Sequence, residues 1–174
     1  MFDTIKEDIK IQTNNGNAIK KIKNFLNFTF HLLLIYRFGC WCYKNVPIFG
    51  RAISFCVEYL IKFYFSSDIS CKSKIGPGLN FMHGSDIVIG SAVVAGKCLK
   101  IFNGVTLGNK DTETIELMQP TIGNNVIIGS GAKVMGNIKI GNNIKIGANT
   151  VVINDLPDNC IAVGVPARVI LTTK

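Results

Sequence analysis

A chain of 174 residues suffices for one domain with a small appendage. It is 48% hydrophobic, only 17% charged, and carries a net charge of +8, so a sizeable core is available and oligomerisation is expected to bury surface that a monomer would leave wet. None of the six cysteines forms a C-x-x-C pair and the only histidines are His31 and His83, which excludes a zinc module, and no metal is expected. No cleavable signal peptide is expected, because Lys6, Glu7, Asp8 and Lys10 precede any apolar run. The cytoplasm is therefore the expected compartment, with the cysteines serving as small apolar core residues. No nucleic-acid partner is expected.

Residues 1–67 read as a helical N-terminal region. They carry nine Lys and Arg against four Asp and Glu, and the remainder carries ten against seven. Residues 18–43 form one apolar run, residues 45–47 (NVP) break it, and residues 48–65 form a second. Arg37 interrupts the first run, and Arg51, Glu58 and Lys62 interrupt the second. A membrane-spanning helix needs about 20 residues nearly free of charge. The spacing predicts a hairpin packed on protein with a solvated basic face. The alternative for residues 18–65 is peripheral contact with the inner face of an anionic membrane. His31, between Phe30 and Leu32, reads as a core histidine.

From Asp68 the period becomes six. Ile122, Ile128, Val134, Ile140, Ile146 and Val152 keep one register, and Gly123, Gly129, Gly141 and Gly147 follow four of them. Val126, Ala132, Ile138, Ile144 and Thr150 stand two residues earlier in each repeat, and Ile89, Ala95, Ile101 and Leu107 extend the spacing upstream. A helix cannot keep positions six apart on one face, since six is not a multiple of 3.6. A short strand followed by a corner can, and glycine supplies backbone angles that corners use. This is a hexapeptide β-helix over residues 68–170. The register breaks between Ile75 and Ile89, fourteen apart, within residues 77–86. It breaks again between Leu107 and Ile122, fifteen apart, which reads as three more than two periods. Residues 109–120 there read as a projecting loop, and its polar half, 109–116, could offer hydrogen-bond partners to an acceptor. Irregularities in a regular scaffold are where function tends to sit.

Residues 68–69 (DI), 75–78 (IGPG), 83–84 (HG), 104–108 (GVTLG), 128–138 (IGSGAKVMGNI) and 163–168 (VGVPAR) resemble the serine acetyltransferase branch of the hexapeptide acyltransferases. The resemblance implies a mainly β fold, a left-handed parallel β-helix with a short α-helical N-terminal region. It also implies homotrimers with acetyl-CoA lying in the groove between adjacent β-helices. It places the catalytic base on His83 and the carboxylate that orients it on Asp68. A neutral imidazole can take the proton of an acceptor hydroxyl near pH 7, and a carboxylate on its other nitrogen would fix the tautomer. Otherwise His83 is a plain loop histidine and Asp68 a turn residue opening the first coil. Backbone N–H groups near residues 104–108 are candidate oxyanion donors. By the same resemblance, Gly108, Ser130 and Ala148 let pantetheine lie against the coil, although corner packing alone would also require small residues. Lys133, Lys145 and Arg168 would meet the phosphates of the coenzyme, or stand as solvated charges.

The acceptor side departs from the serine pattern. Met82 stands where serine enzymes of this kind carry Asp, and Met118 and Gln119 stand where they carry Arg and His. A zwitterionic acceptor would leave its charges unpaired there. The helical region is also short. These features look more like the O-acetyltransferases of surface polysaccharide pathways, those of colanic acid in particular. The first expectation is therefore acetyl transfer to a sugar hydroxyl on a small or lipid-linked acceptor, with Met82, Met118 and Gln119 lining its site. The alternatives are serine O-acetylation and a non-catalytic trimeric scaffold.

Overall fold

The computed structural model describes residues 2–13, 27–111 and 118–171. Three helices come first: α1 (Phe2–Thr13), α2 (Phe28–Asn45) and α3 (Gly50–Phe65). The start of α2 is set by Asn27, whose side-chain oxygen accepts the Thr29 N–H at 3.2 Å. Its end is set by Pro47, which forces Val46 into an extended conformation. Gly50 opens α3 because a Cβ there would strike the Cys42 carbonyl of α2. Gly50, Ser54, Val57, Ile61 and Phe65 form the buried stripe of α3, at the three- and four-residue steps of one helix face. The opposite face is bare: Phe55, Tyr59, Phe63 and Tyr64 are 68%, 64%, 72% and 63% exposed. Residues 18–26 of the first apolar run lie outside the described residues. Among the described residues, no helix is long and apolar enough to cross a membrane.

α1 forms within the region read as helical, ahead of its two apolar runs, and docks through a buried ion pair. Arg37 Nε donates to Asp8 Oδ2 at 2.9 Å, with the two side chains 8% and 0% exposed. Arg37 also donates to the carbonyls of Ile75 and Gly76, both at 2.7 Å. Asp8 Oδ1 in turn accepts the N–H groups of Gly78 and Leu79 at 2.6 and 3.1 Å. The charge that interrupts the apolar run of α2 is thus the clamp between α1, α2 and the first coil. Burial pushes the Asp8 carboxyl above its ordinary range, against the opposing effects of Arg37 and the two backbone donors.

From Asp68 the chain winds into a left-handed β-helix with three faces. The first face stacks β1 (Asp68–Ile69), β4 (Val88–Ile89), β7 (Thr106–Gly108), β10 (Lys133–Met135) and β13 (Val151–Val152). The second stacks β2 (Lys74–Ile75), β5 (Val94–Ala95), β8 (Thr121–Ile122) and β11 (Lys139–Ile140). The third stacks β3 (Asn80–Phe81), β6 (Lys100–Ile101), β9 (Ile127–Ile128), β12 (Lys145–Ile146) and β14 (Cys160–Val163), closed by the antiparallel β15 (Arg168–Leu171). Register is strict: Ile69, Ile89, Leu107, Val134 and Val152 lie above one another, as do Phe81, Ile101, Ile128 and Ile146. All are buried, so the hexad positions read from the sequence form the core.

One corner carries a side-chain ladder. Asn125 donates to Asn143 Oδ1 at 3.0 Å, and Asn143 to Asn159 Oδ1 at 2.9 Å. These three residues have φ of +57°, +56° and +57°, a conformation that asparagine tolerates better than most residues.

The two breaks resolve differently. Phe81 occupies the third face between Ile75 and Ile89, so the extra residues fall after it, in the segment that carries His83. Leu107 and Ile122, by contrast, lie on consecutive faces. Their fifteen-residue separation is one period of six plus an excursion of nine, not two periods plus three. Spacing alone cannot distinguish these, because both leave the same remainder.

Candidate active site

His83 sits on the edge between the third and first faces, directly after β3. Its ring is exposed, 6.0 Å from that of Phe102 and tilted by 59°. The backbone beneath it is held from the helical side. The Ser67 hydroxyl donates to the Gly84 carbonyl at 3.0 Å and accepts the Ile87 N–H at 3.1 Å. A Cβ on Gly84 would lie 3.3 Å from both Leu32 of α2 and Phe65 of α3. Glycine after the histidine therefore lets both helices press on the loop that presents the imidazole.

The same edge continues down the coil. Gly104 N–H donates to the Ser85 carbonyl, Gly131 N–H to that of Asn103, and Asn149 N–H to that of Ser130. Ser130 also donates to Asn103 Oδ1 at 3.0 Å. His83, Ser130 and Ala148 therefore share one edge, with Ala148 exposed and Ser130 half-buried. Lys133 lies beside it on the first face, its ammonium donating to the Gly104 carbonyl at 2.7 Å and to Thr106 Oγ1 at 3.0 Å. Lys145 and Arg168 are exposed on the third face.

Asp68 lies one residue after Ser67, but its carboxylate pairs with Lys62 at 3.2 Å, both side chains exposed. No contact joins Asp68 to His83 among the described residues. The oxyanion donors expected near residues 104–108 need correction at two positions. Gly104 N–H and Thr106 N–H are already engaged by the Ser85 and Ala132 carbonyls.

Met82 stands beside His83 and is 38% exposed. Met118 and Gln119 do not join it within one chain. They precede β8 and so belong to the edge between the first and second faces, as Gly108 does at the end of β7. Gln119 is committed there: its Oε1 accepts the Ala92 N–H at 2.8 Å, and its amide lies against Gly90. Residues 112–117, which hold most of the polar loop, lie outside the described residues. Among the described residues, no group of three His, Cys, Asp or Glu side chains is placed to hold a metal.

The family model for the bacterial transferase hexapeptide (six repeats) matches residues 119–154. Over 173 residues the chain is 35% identical to the serine acetyltransferase of Synechococcus elongatus, covering 98% of this chain and 69% of that protein. The crystal structure of serine acetyltransferase from Brucella abortus superposes with a TM-score of 0.85 at 31% identity, covering 98% of this chain and 69% of that one. A serine acetyltransferase in complex with CoA superposes at 0.84 with 33% identity, covering 97% and 68%. The chain thus spans about two thirds of each relative.

A β-helix of hexapeptides with an exposed histidine on one edge, and relatives of this kind, make the protein an acyltransferase of the hexapeptide class. More narrowly, the chain belongs to the serine acetyltransferase family. This corrects the branch expected from the sequence, which leaned on Met82, Met118, Gln119 and the short helical region. The similarity to serine enzymes covers the helices as well as the coils, and the polysaccharide branch finds no support in it.

Proposed function

We propose that this chain transfers the acetyl group of acetyl-CoA to a hydroxyl, with His83 as general base. The observation that carries the reading is the exposed imidazole on a braced edge that Ser130 and Ala148 continue. His83 takes the hydroxyl proton as the oxygen attacks the thioester carbon. The tetrahedral intermediate then collapses, the carbon–sulfur bond breaks, and the coenzyme thiolate leaves with the proton returned by the imidazolium. Asp68 would orient the imidazole after exchanging Lys62 for His83.

L-serine is the acceptor that the relatives favour, and acetylation of serine is the primary reading. A second reading, an uncharged sugar hydroxyl, rests on Met82, Met118 and Gln119. An unpaired charged group in a site costs on the order of a few kcal/mol. The expected result is saturable thiol release with L-serine and acetyl-CoA. Release with a neutral glycan acceptor and none with serine would overturn the primary reading in favour of the second.

A homotrimer is the assembly that fits this site. Met82 and His83 lie on one edge and Met118 and Gln119 on another, so a pocket using both is completed only where two protomers meet. The bare aromatic face of α3 also calls for a covering. Mass measurement in solution should give three chains. A fully active monomer would refute the trimer, and such a monomer binding anionic vesicles would instead favour the peripheral membrane role of residues 18–65, to which Phe55, Tyr59 and Phe63 beside Arg51 and Lys62 would be suited.

A further inference from the structure

Two thiols outside the catalytic edge face each other where α2 meets the first coil. Cys71 Sγ lies against Gly39, the residue before Cys40, and both cysteines line one cavity. The approach depends on Gly39, where a Cβ would stand only 2.5 Å from Cys71 Sγ. The sulfur therefore nests against the backbone of α2 next to Cys40. The two sites differ in access. Cys71 is 2% exposed, whereas Cys40 is half-buried, and both line a cavity of about 640 Å³. The walls of that cavity include Tyr43, Lys44, Lys72 and Lys74, three cations that favour an anionic visitor. The hydrogen bond from Cys71 lowers the Cys40 thiol below its ordinary range, helped by Tyr36 and the Arg37 charge against the effect of burial. The Cys71 thiol is pushed up, first by its bond to Cys40 and then by burial. A reachable, thiolate-prone cysteine with a second thiol at its back is the arrangement of a redox-responsive pair.

We propose that Cys40 and Cys71 are a reversible oxidation site, forming an intrachain disulfide when the protein meets a small anionic disulfide. The Cys40 thiolate attacks one sulfur of that molecule, its S–S bond breaks, and one small thiolate leaves. Cys71 then gives its proton to the departing thiolate, and its sulfur attacks Cys40 in the mixed disulfide, expelling the second small thiol. Two protein thiols are oxidised by two electrons, and one small disulfide is reduced to two thiols. The bridge would tie α2, which braces the His83 loop through Leu32, to a residue three positions after Asp68.

The test uses the full chain, native and reduced, incubated with oxidised glutathione. Remaining thiols are then alkylated and the peptides mapped by mass spectrometry. The expected result is a Cys40–Cys71 bridge as the main intrachain disulfide, reversed by dithiothreitol, with exposed Cys56 carrying at most a mixed disulfide. Cys40→Ser should abolish the bridge and leave Cys71 unmodified. Cys71→Ala should instead trap glutathione on Cys40, which keeps the test decisive should the first variant fold poorly. Cys40 remaining fully alkylatable in the wild type, or a bridge between other cysteines, would overturn the proposal. The readout is the bond itself, so the outcome is independent of the acetyl-transfer reading.

Discussion

Replacing His83 with alanine is expected to lower turnover by roughly 10²–10⁴-fold, the usual worth of a general base. The fold should not change. The ring is exposed, and its neighbour in the structure is the Phe102 ring at 6.0 Å. The loop geometry comes from Ser67, Gly84 and the two helices, none of which uses the imidazole. The loss should therefore fall on kcat, with thermal unfolding unchanged. Asp68→Asn should cost less, because the carboxylate acts on the base and not on the acceptor, and its exposed pairing with Lys62 contributes little to stability. Near-wild-type turnover by His83→Ala would remove His83 from the mechanism.

The largest stability effect is expected at Arg37. Arg37→Leu leaves Asp8 buried with only the Gly78 and Leu79 N–H groups, and leaves the Ile75 and Gly76 carbonyls without their guanidinium donor. Breaking a buried pair on one side costs about 3–5 kcal/mol, a large part of the roughly 5–15 kcal/mol that holds a domain together. The deficit should grow with pH. Without Arg37 the buried carboxyl is raised further, so the folded state binds its proton more tightly than the unfolded state does. That contribution favours folding at low pH and is lost as pH rises through the folded value. Urea unfolding at about pH 5 and about pH 8 would read both effects. Removing both charges, as Asp8→Asn with Arg37→Met, should recover part of the loss. An Arg37→Leu midpoint within about 1 kcal/mol of wild type would show that the clamp does not hold α1.

What the sequence could and could not reveal follows from the range of the interactions. The hexads from Ile122 to Val152 were legible because each strand and corner is made by neighbouring residues, and burial repeats with them. The segment that carries His83 was legible as an irregularity because it breaks that rhythm. The clamp was not: Asp8 and Arg37 are 29 positions apart, and nothing local distinguishes a buried charge from a solvated one. The length of the excursion after Leu107 was misread because a period determines only a remainder. The edge that carries Gln119 was out of reach until the three faces were placed. Its tie to Ala92 crosses 27 positions, a contact that residue type alone does not announce. The acceptor was ranked on three side chains, whereas the relatives resemble the chain along nearly its whole length.

The most direct test of the account follows both products of a single reaction. Acetyl-CoA and L-serine are incubated with the wild-type chain and with His83→Ala, and coenzyme thiol and O-acetylserine are quantified together. Equal amounts of the two products are expected, saturable in serine and nearly absent in the variant. Thiol without acetylated acceptor, or equal product from His83→Ala, would contradict it.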